Sequence, residues 1–332
     1  MTFNKKSNRL EFEHCTQALK YFVERLLKKD IIKSANIKNK ETYKKEIIEL
    51  THQFFCIKNP KKVIFNHRNY KTQPWWLISE ILSETLNINP PIMTEYRSDI
   101  ISWAYDLLPS GKVEYMYGGR WNEWNQLEYV YNLLKKNPTS KRAIIDIHTP
   151  YDNSSARKDV PCNCQYHFLL RNGKLNMTAI VRSWDITKGY KVDFSLYSFV
   201  LQSLASWLNS EIGNLYVYVS SLHCYSQDIE KLKKLKLYLN YHENDILELE
   251  IDKNMEIGKT YEDLRKVREI ETLIRNGIWK TNLKFIDLKI NNLNYKFARD
   301  FCRIYLLKAL NRIDLNDKYV NEMETKCKEW CK

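Results

Sequence analysis

The chain has 332 residues, 44% of them hydrophobic, which is enough to bury a full core, and no apolar run is long enough to span a bilayer. Its formal charge of +13 comes from 53 Lys and Arg against 40 Asp and Glu, which favours anionic ligands. The surplus permits nucleic-acid contact, but no recognised nucleic-acid motif is present and a solvated lysine-rich surface is the favoured explanation.

Eight cysteines without a secretory signal predict free thiols and a cytoplasmic protein. Neither Cys162-x-Cys164 nor Cys327-x-x-x-Cys331 has a usual zinc spacing, and the seven histidines are scattered, so no metal is expected.

Residues 1–70 read as a helix-rich, polar N-terminal extension. Thr16 to Lys28 and Lys40 to Phe55 both space their apolar residues as helices do. Residues 71–230 alternate helix and strand and hold every motif. Within them, Cys164 to Leu170 alternates and meets Arg171-Asn172-Gly173-Lys174, which predicts strand, hairpin turn and a second strand from Leu175 to Val181. Phe194 to Leu201 is an apolar helical run.

Residues 231–332 read as a strand and helix elaboration of the same domain. Leu235 to Ile251 predicts two strands around His242-Glu243-Asn244-Asp245. Leu293 to Arg312 predicts an amphipathic helix with Phe297, Phe301, Tyr305, Leu306 and Leu310 on one side, packed on the core or facing a partner. There is no internal repeat and no low-complexity linker. One elaborated α+β domain is expected rather than two.

The hairpin would bring Cys162 and Arg182 to the same end of a strand pair. A thiolate beside a guanidinium is stabilised as the anion, and the anion is the nucleophile. A lone cysteine is otherwise a small buried hydrophobe. Arg182-Ser183 offers a fork of donors and a hydroxyl, suited to a phosphate or to a surface ion pair. On a strand, His223 and Tyr225 share a face, so two polar tips could reach one ligand hydroxyl. They could equally be a core histidine and a half-buried tyrosine. Asp193 precedes the apolar helical run and could be its N-cap.

Taken in order, Pro161-Cys162, Arg182-Ser183-x-Asp185-x-x-x-Gly189 and Ser221-Leu222-His223-Cys224-Tyr225-Ser226 resemble the thymidylate synthase and pyrimidine hydroxymethylase superfamily. Upstream, Pro74 to Leu82, Tyr117-Gly118-Gly119-Arg120-Trp121 and Asn137 to Arg142 resemble three further segments of it. The likeness runs from about Trp75 to Asp228. It implies a thymidylate synthase-like fold, a mixed sheet flanked by helices. It also implies roles: Cys162 as nucleophile, Glu80 as the catalytic glutamate, and Arg182 and Ser183 on the nucleotide phosphate. His223 and Tyr225 would meet the sugar 3′-hydroxyl, and Asp185, Gly189 and Tyr117 would lie on the folate side. Lys141 and Arg142 would reach the partner's phosphate site in a homodimer.

Departures from the synthases narrow the expectation. Asp193 stands where synthases have asparagine, and the family's deoxycytidylate hydroxymethylases carry aspartate there. Cytosine presents an N3 acceptor and an N4 donor, which a carboxyl group can meet. Val181 replaces a glutamine and Asn163 a histidine, and the hydroxymethylases also lack both. The N-terminal phosphate loop is missing, with Lys58-Asn59-Pro60-Lys61-Lys62 as a candidate replacement. Lys141 stands in for an arginine, and Cys327 to Lys332 lacks the apolar closing tail.

The resemblance therefore implies transfer of a one-carbon unit from 5,10-methylenetetrahydrofolate to C5 of a pyrimidine nucleoside monophosphate. Conversion of dCMP to 5-hydroxymethyl-dCMP leads. A dUMP-methylating synthase, a CMP or dUMP hydroxymethylase, and a non-catalytic scaffold for nucleic acid or protein remain alternatives.

Overall fold

The computed structural model describes residues 2–4, 9–38, 41–65, 70, 73–88, 92, 117–153, 160–244 and 246–310. Strands β1 (Thr2–Asn4) and β2 (Arg9–Phe12) lead into α1 (Cys15–Leu26), the helix expected from Thr16 onward. Strands β3 (Ile32–Lys38) and β4 (Glu41–Ile57) follow, then β5 (Lys62–Phe65).

Of the segment Lys40 to Phe55, expected as a helix, Lys40 lies outside the described residues and the rest is most of a 17-residue strand, and the described part of residues 1–70 is mainly strand. Its apolar residues fit either period, but Thr42, Tyr43, Ile47, Ile48, Thr51, Phe54 and Phe55 are β-branched or aromatic. Pairing with a distant strand decides the matter, from Ile47 opposite Tyr225 to Ile57 opposite Leu215.

Helix α2 (Pro74–Leu86) has proline in its first turn, where the missing N–H costs nothing, and ends at Asn87 in the left-handed region (φ 51°). Next come α3 (Tyr117–Glu123), α4 (Gln126–Lys136) and the short strand β6 (Ile144–Asp146). The expected hairpin is β7 (Asn163–Arg171) and β8 (Lys174–Asp185). Asn172 and Gly173 both adopt positive φ, 51° and 73°, as the tight two-residue turn requires.

Helix α5 (Gly189–Trp207) crosses from β8 to β9 (Glu211–Tyr225), which lie side by side and parallel. The main sheet runs β1-β2-β4-β9-β8-β7-β6, with β3 on β4. Leu175, Met177, Ala179 and Val181 of β8 and Leu215, Val217 and Val219 of β9 turn inward against α5, which is buried along most of its length. On the other face Ile180, Tyr216 and Tyr218 are half-buried and Phe54 is 44% exposed.

Leu235 to Ile251 is not two strands. It is the end of α6 (Ile229–His242) and a short β10 (Ile246–Glu248) paired with β5. Leu232, Leu235 and Leu239 are buried at helical spacing while Leu237 is 65% exposed, so the apparent alternation came from one surface leucine.

Helices α7 (Ile257–Arg275), α8 (Leu283–Asn291) and α9 (Lys296–Leu310) are the last described elements. The face of α9 carrying Phe297, Phe301, Tyr305 and Leu306 is buried in the core, against α7 and α2. The Leu310 side chain, residues 311–312, Asp245 and Cys327 to Lys332 lie outside the described residues. No described helix is long and apolar enough to cross a membrane, and no described cluster of His, Cys, Asp and Glu could hold a metal.

Candidate active site

The β8–β9 parallel pairing sets Ser183 opposite Ser221 and Asp185 opposite His223, so the ends of the two strands share one region. Cys162 sits just before β7, and its carbonyl accepts the Arg182 backbone N–H at 2.9 Å. Arg182 then folds over the loop. Its Nε donates to Pro161 O at 2.9 Å, and Nη2 donates to Val160 O and lies 4.0 Å from Cys162 Sγ. The thiol is half-buried beside a fixed positive charge, the setting a nucleophilic thiolate needs. Among the other cysteines, burial pushes the Cys164 thiol up and drives that of Cys224 to about 12.

Asp193 lies in the first turns of α5 but is not its N-cap, a position held by Lys188. Its carboxyl is buried. Oδ1 accepts from Asn163 Nδ2 at 3.2 Å, and Oδ2 accepts from Trp184 Nε1 at 2.7 Å. The Tyr197 hydroxyl donates to Asn163 Oδ1. Burial pushes the Asp193 carboxyl up to about 7, against the pull of the two donors. Gly189 lies beside this group, where a Cβ would be in ordinary contact with Asp193 Oδ2 at 3.4 Å.

Glu80 projects from α2 half-buried, with no hydrogen bond among the described residues. Desolvation, then the Asp193 charge, pushes its carboxyl up to about 8. Tyr117, at the start of α3, has its phenol held well above the usual range by burial, then by the charges of Asp193 and Cys162. Glu80, Tyr117, Cys162 and Asp193 therefore form one electrostatically linked group.

Asp185 closes β8. Its Oδ1 accepts from the Thr187 N–H and hydroxyl at 2.8 and 2.7 Å. Its Oδ2 is buried without a hydrogen bond, with Lys188 Nζ 3.9 Å away. His223 and Tyr225 do share a face, their rings edge-on at 5.2 Å. His223 Nδ1 is buried without a partner, and burial lowers the imidazole, which is neutral near pH 7.

Lys141 and Arg142 are exposed and do not join this group. They precede β6, which pairs with β7 from Ile144 opposite His167, and Ala143 O accepts the Phe168 N–H. Continuing that register sets Arg142 level with Leu169, seven residues along the strand from Cys162, or roughly 20 Å at about 3.3 Å per residue. Lys58 and Lys61, proposed to replace the missing phosphate loop, are paired with Glu11 and Glu248.

Sequence reasoning missed Glu84, one turn beyond Glu80. It is buried, and its Oε2 accepts the Gly118 N–H at 2.7 Å. Burial, then the Glu80 charge, holds it well above the usual carboxylate range. Here α2 and α3 nearly touch: a Cβ on Gly118 would fall 1.1 Å from Glu84 O, so only glycine fits. Two glutamates four apart on an otherwise apolar helix were the available signal. Also missed was the buried pair of Arg120 and Asp152, which ties α3 to the 149–152 segment. A separate cavity of about 370 Å³, between Trp121, Leu127, Gly258 and Tyr261, shares no residue with the cysteine group.

The family described as Thymidylate synthase matches residues 29–271. A deoxyuridylate hydroxymethyltransferase of Bacillus phage SP01 is 37% identical over 111 residues, covering 32% of this chain and 29% of that protein. A putative thymidylate synthase of Methanosarcina barkeri is 26% identical over 187 residues, 54% of this chain and 86% of that protein. One of Methanosarcina acetivorans is 30% identical over 158 residues, 46% of this chain and 70% of that protein. The chain thus spans less than a third of the phage relative and most of the two archaeal ones.

Proposed function

Since residues 29–271 make the chain a member of the thymidylate synthase family, we propose that it transfers a one-carbon unit from 5,10-methylenetetrahydrofolate to C5 of dCMP, giving 5-hydroxymethyl-dCMP. The observation that carries this reading is the buried Asp193 carboxyl, hydrogen-bonded by Asn163, the residue next to Cys162.

Arg182 and Ser183 bind the 5′-phosphate, and neutral His223 with Tyr225 meets the sugar hydroxyl. Asp193 shares a proton with N3 of cytosine and accepts from N4. This withdraws electrons from the ring, so that Cys162 Sγ bonds to C6 and C5 gains electron density. The folate co-substrate would supply the electrophilic methylene carbon: C5 bonds to it, its bond to the tetrahydrofolate nitrogen breaks and C5 loses its proton, which leaves an exocyclic methylene on the ring. Asp185 Oδ2, a buried acceptor without a donor, suits a ring N–H of the pterin, with Gly189 and Tyr117 close by. Glu80 makes no hydrogen bond among the described residues, so its carboxyl is free to hold the water that adds to the exocyclic carbon. When that carbon carries its hydroxyl, the C6–Sγ bond breaks and the 5,6 double bond returns.

The same reading includes a homodimer. The half-exposed sheet face bearing Ile180, Tyr216, Tyr218 and Phe54 would be covered by a second copy. Lys141 and Arg142, too far from their own Cys162, would then complete the partner's phosphate site.

A dUMP hydroxymethylase is the second reading, favoured by the phage relative, whose name gives deoxyuridylate as its substrate. Incubation with methylenetetrahydrofolate and each of dCMP, CMP and dUMP, with products identified by mass, tests both. A 5-methyl product from dUMP removes the hydroxymethylase reading. A 5-hydroxymethyl product from dUMP alone moves it to uracil.

A further inference from the structure

Asp193 is held from behind by a short chain of hydrogen bonds. Trp184 Nε1 donates to Oδ2 at 2.7 Å and Asn163 Nδ2 to Oδ1 at 3.2 Å. Asn163 has two ends, an acceptor oxygen and a donor amide, and could face Asp193 with either. The Tyr197 hydroxyl removes that freedom: by donating to Asn163 Oδ1 it leaves the NH2 group facing Asp193. All four side chains are buried in the aromatic packing of Trp184, Tyr190, Phe194 and Tyr197.

The effect on recognition follows from counting donors and acceptors. A protonated carboxyl has one donor and one acceptor and can turn either way. It matches cytosine, with an N3 acceptor and N4 donor. It also matches uracil, with an N3 donor and O4 acceptor. A carboxylate has only acceptors. It matches cytosine protonated at N3 and repels uracil O4. Base selectivity at this site therefore depends on which form of Asp193 the surroundings favour.

We propose that Trp184, Asn163 and Tyr197 form a specificity clamp that stabilises the carboxylate of Asp193 once its proton has passed to cytosine N3, and thereby favours cytosine over uracil. The inference rests on the cytosine reading above and names the residues that enforce it. Both donors favour the anion, as hydrogen bonds to a charged form do, and burial opposes them. The titratable groups around Asp193 are Glu80 and Glu84 on α2, Tyr117 on α3, Tyr166 on β7 and Tyr197 on α5. None of these is a cation, so the neutral donors of the clamp are what oppose burial among the described residues.

The test compares wild type with Trp184→Phe and Tyr197→Phe, each first shown to be folded by its melting curve. The first removes an indole donor and keeps a ring. The second frees Asn163 to turn its oxygen toward Asp193 and removes no packing carbon. The readout is kcat/KM for dCMP divided by that for dUMP, from pH 6 to pH 9. Either base needs one proton at this site, shared with N3 for cytosine and held by the carboxyl for uracil, so turnover of both declines as the site deprotonates and the wild-type ratio does not rise with pH. In Trp184→Phe it is expected to fall by about tenfold, the size of one lost hydrogen bond to a charged group, and the pH at which turnover declines is expected to move up. Tyr197→Phe should move both quantities in the same direction by less.

If both folded variants keep the wild-type ratio and the wild-type pH course of turnover, the clamp inference is wrong while the cytosine reading stands. If wild type turns over dUMP alone, the cytosine reading is wrong. The clamp inference then falls with it unless the variants still displace the pH course of dUMP turnover.

Discussion

Replacing Asp193 by asparagine swaps an ionisable carboxyl for an amide of the same shape. In the folded protein the carboxyl sits at about 7, against an ordinary value of 3.8. Its folded value is raised, so the folded state holds a proton that the unfolded state has released. Stability is greatest below the unfolded value and is lost as pH rises toward 7. At ~1.36 kcal/mol per pH unit over that interval, the loss is about 4 kcal/mol.

The amide escapes this cost but faces two donors, Trp184 Nε1 and Asn163 Nδ2, with only one acceptor. One buried donor left unmatched costs about 1–3 kcal/mol. Asp193→Asn is therefore expected to be less stable than wild type near pH 4.5 and to lose less stability toward pH 7.5. Urea unfolding at a series of pH values measures this as a difference between the two proteins that shrinks or changes sign on raising pH. In turnover assays the variant should shift from dCMP toward dUMP. A stability difference that is flat across pH 4.5–7.5 would refute the account of a buried, proton-holding Asp193. An unchanged base preference would refute its role as base reader.

Cys162→Ala should abolish chemistry while nucleotide binding, followed by calorimetry, is retained. Mixing Cys162→Ala with Arg142→Ala, each inactive or nearly so alone, should restore roughly a quarter of wild-type activity, because half of the randomly assorted dimers carry one intact site. No recovery after verified subunit exchange would mean that Arg142 does not act across a dimer. Gly118→Ala must separate α2 from α3, since its Cβ would fall 1.1 Å from Glu84 O. A melting-temperature drop reflecting at least about 1–3 kcal/mol and a loss of kcat are expected, and a variant with unchanged melting and rate would contradict the close approach. Glu84→Gln keeps an acceptor for the Gly118 N–H and removes a raised carboxyl, so it should be more stable than wild type above about pH 5, where Glu84→Leu loses the acceptor. Equal pH slopes of unfolding for wild type and Glu84→Gln would argue against a neutral buried Glu84.

Local signals were readable and distant ones were not. The β7–β8 hairpin was legible because Asn172-Gly173 fixes its turn within four residues, and Cys162 and Arg182 came together as that turn requires. The α5 helix was visible as an unbroken apolar run. By contrast, β4 depends on pairing with a strand about 170 residues later, and its apolar spacing alone does not separate it from a helix, although its β-branched and aromatic residues lean toward a strand. The α6 helix was mistaken because Leu237 filled a strand-like alternation at the surface.

In the site, the order of motifs gave the residues at the ends of β8 and β9. Glu84 stayed hidden because a glutamate on an apolar helix reads as a surface residue until Gly118 is seen beneath it. The partners of Asp193 were equally hidden. Asn163, Trp184 and Tyr197 meet only because the crossover lays α5 back across the strand that precedes it.

The long strand β4 has a practical consequence. It lies directly against β9, with Glu49 opposite His223 and the Ser221 hydroxyl bonded to the Glu49 carboxylate. Strands β2 and β4, within the first 57 residues, therefore belong to the same sheet as β9. A shortened protein beginning near residue 71 would contain every recognisable motif and still leave β9 as a long open edge beside the site. Such an edge invites strand pairing between molecules. Insolubility of that fragment would reflect the missing neighbour, and adding residues 1–70 back as a separate peptide would be a direct way to restore it.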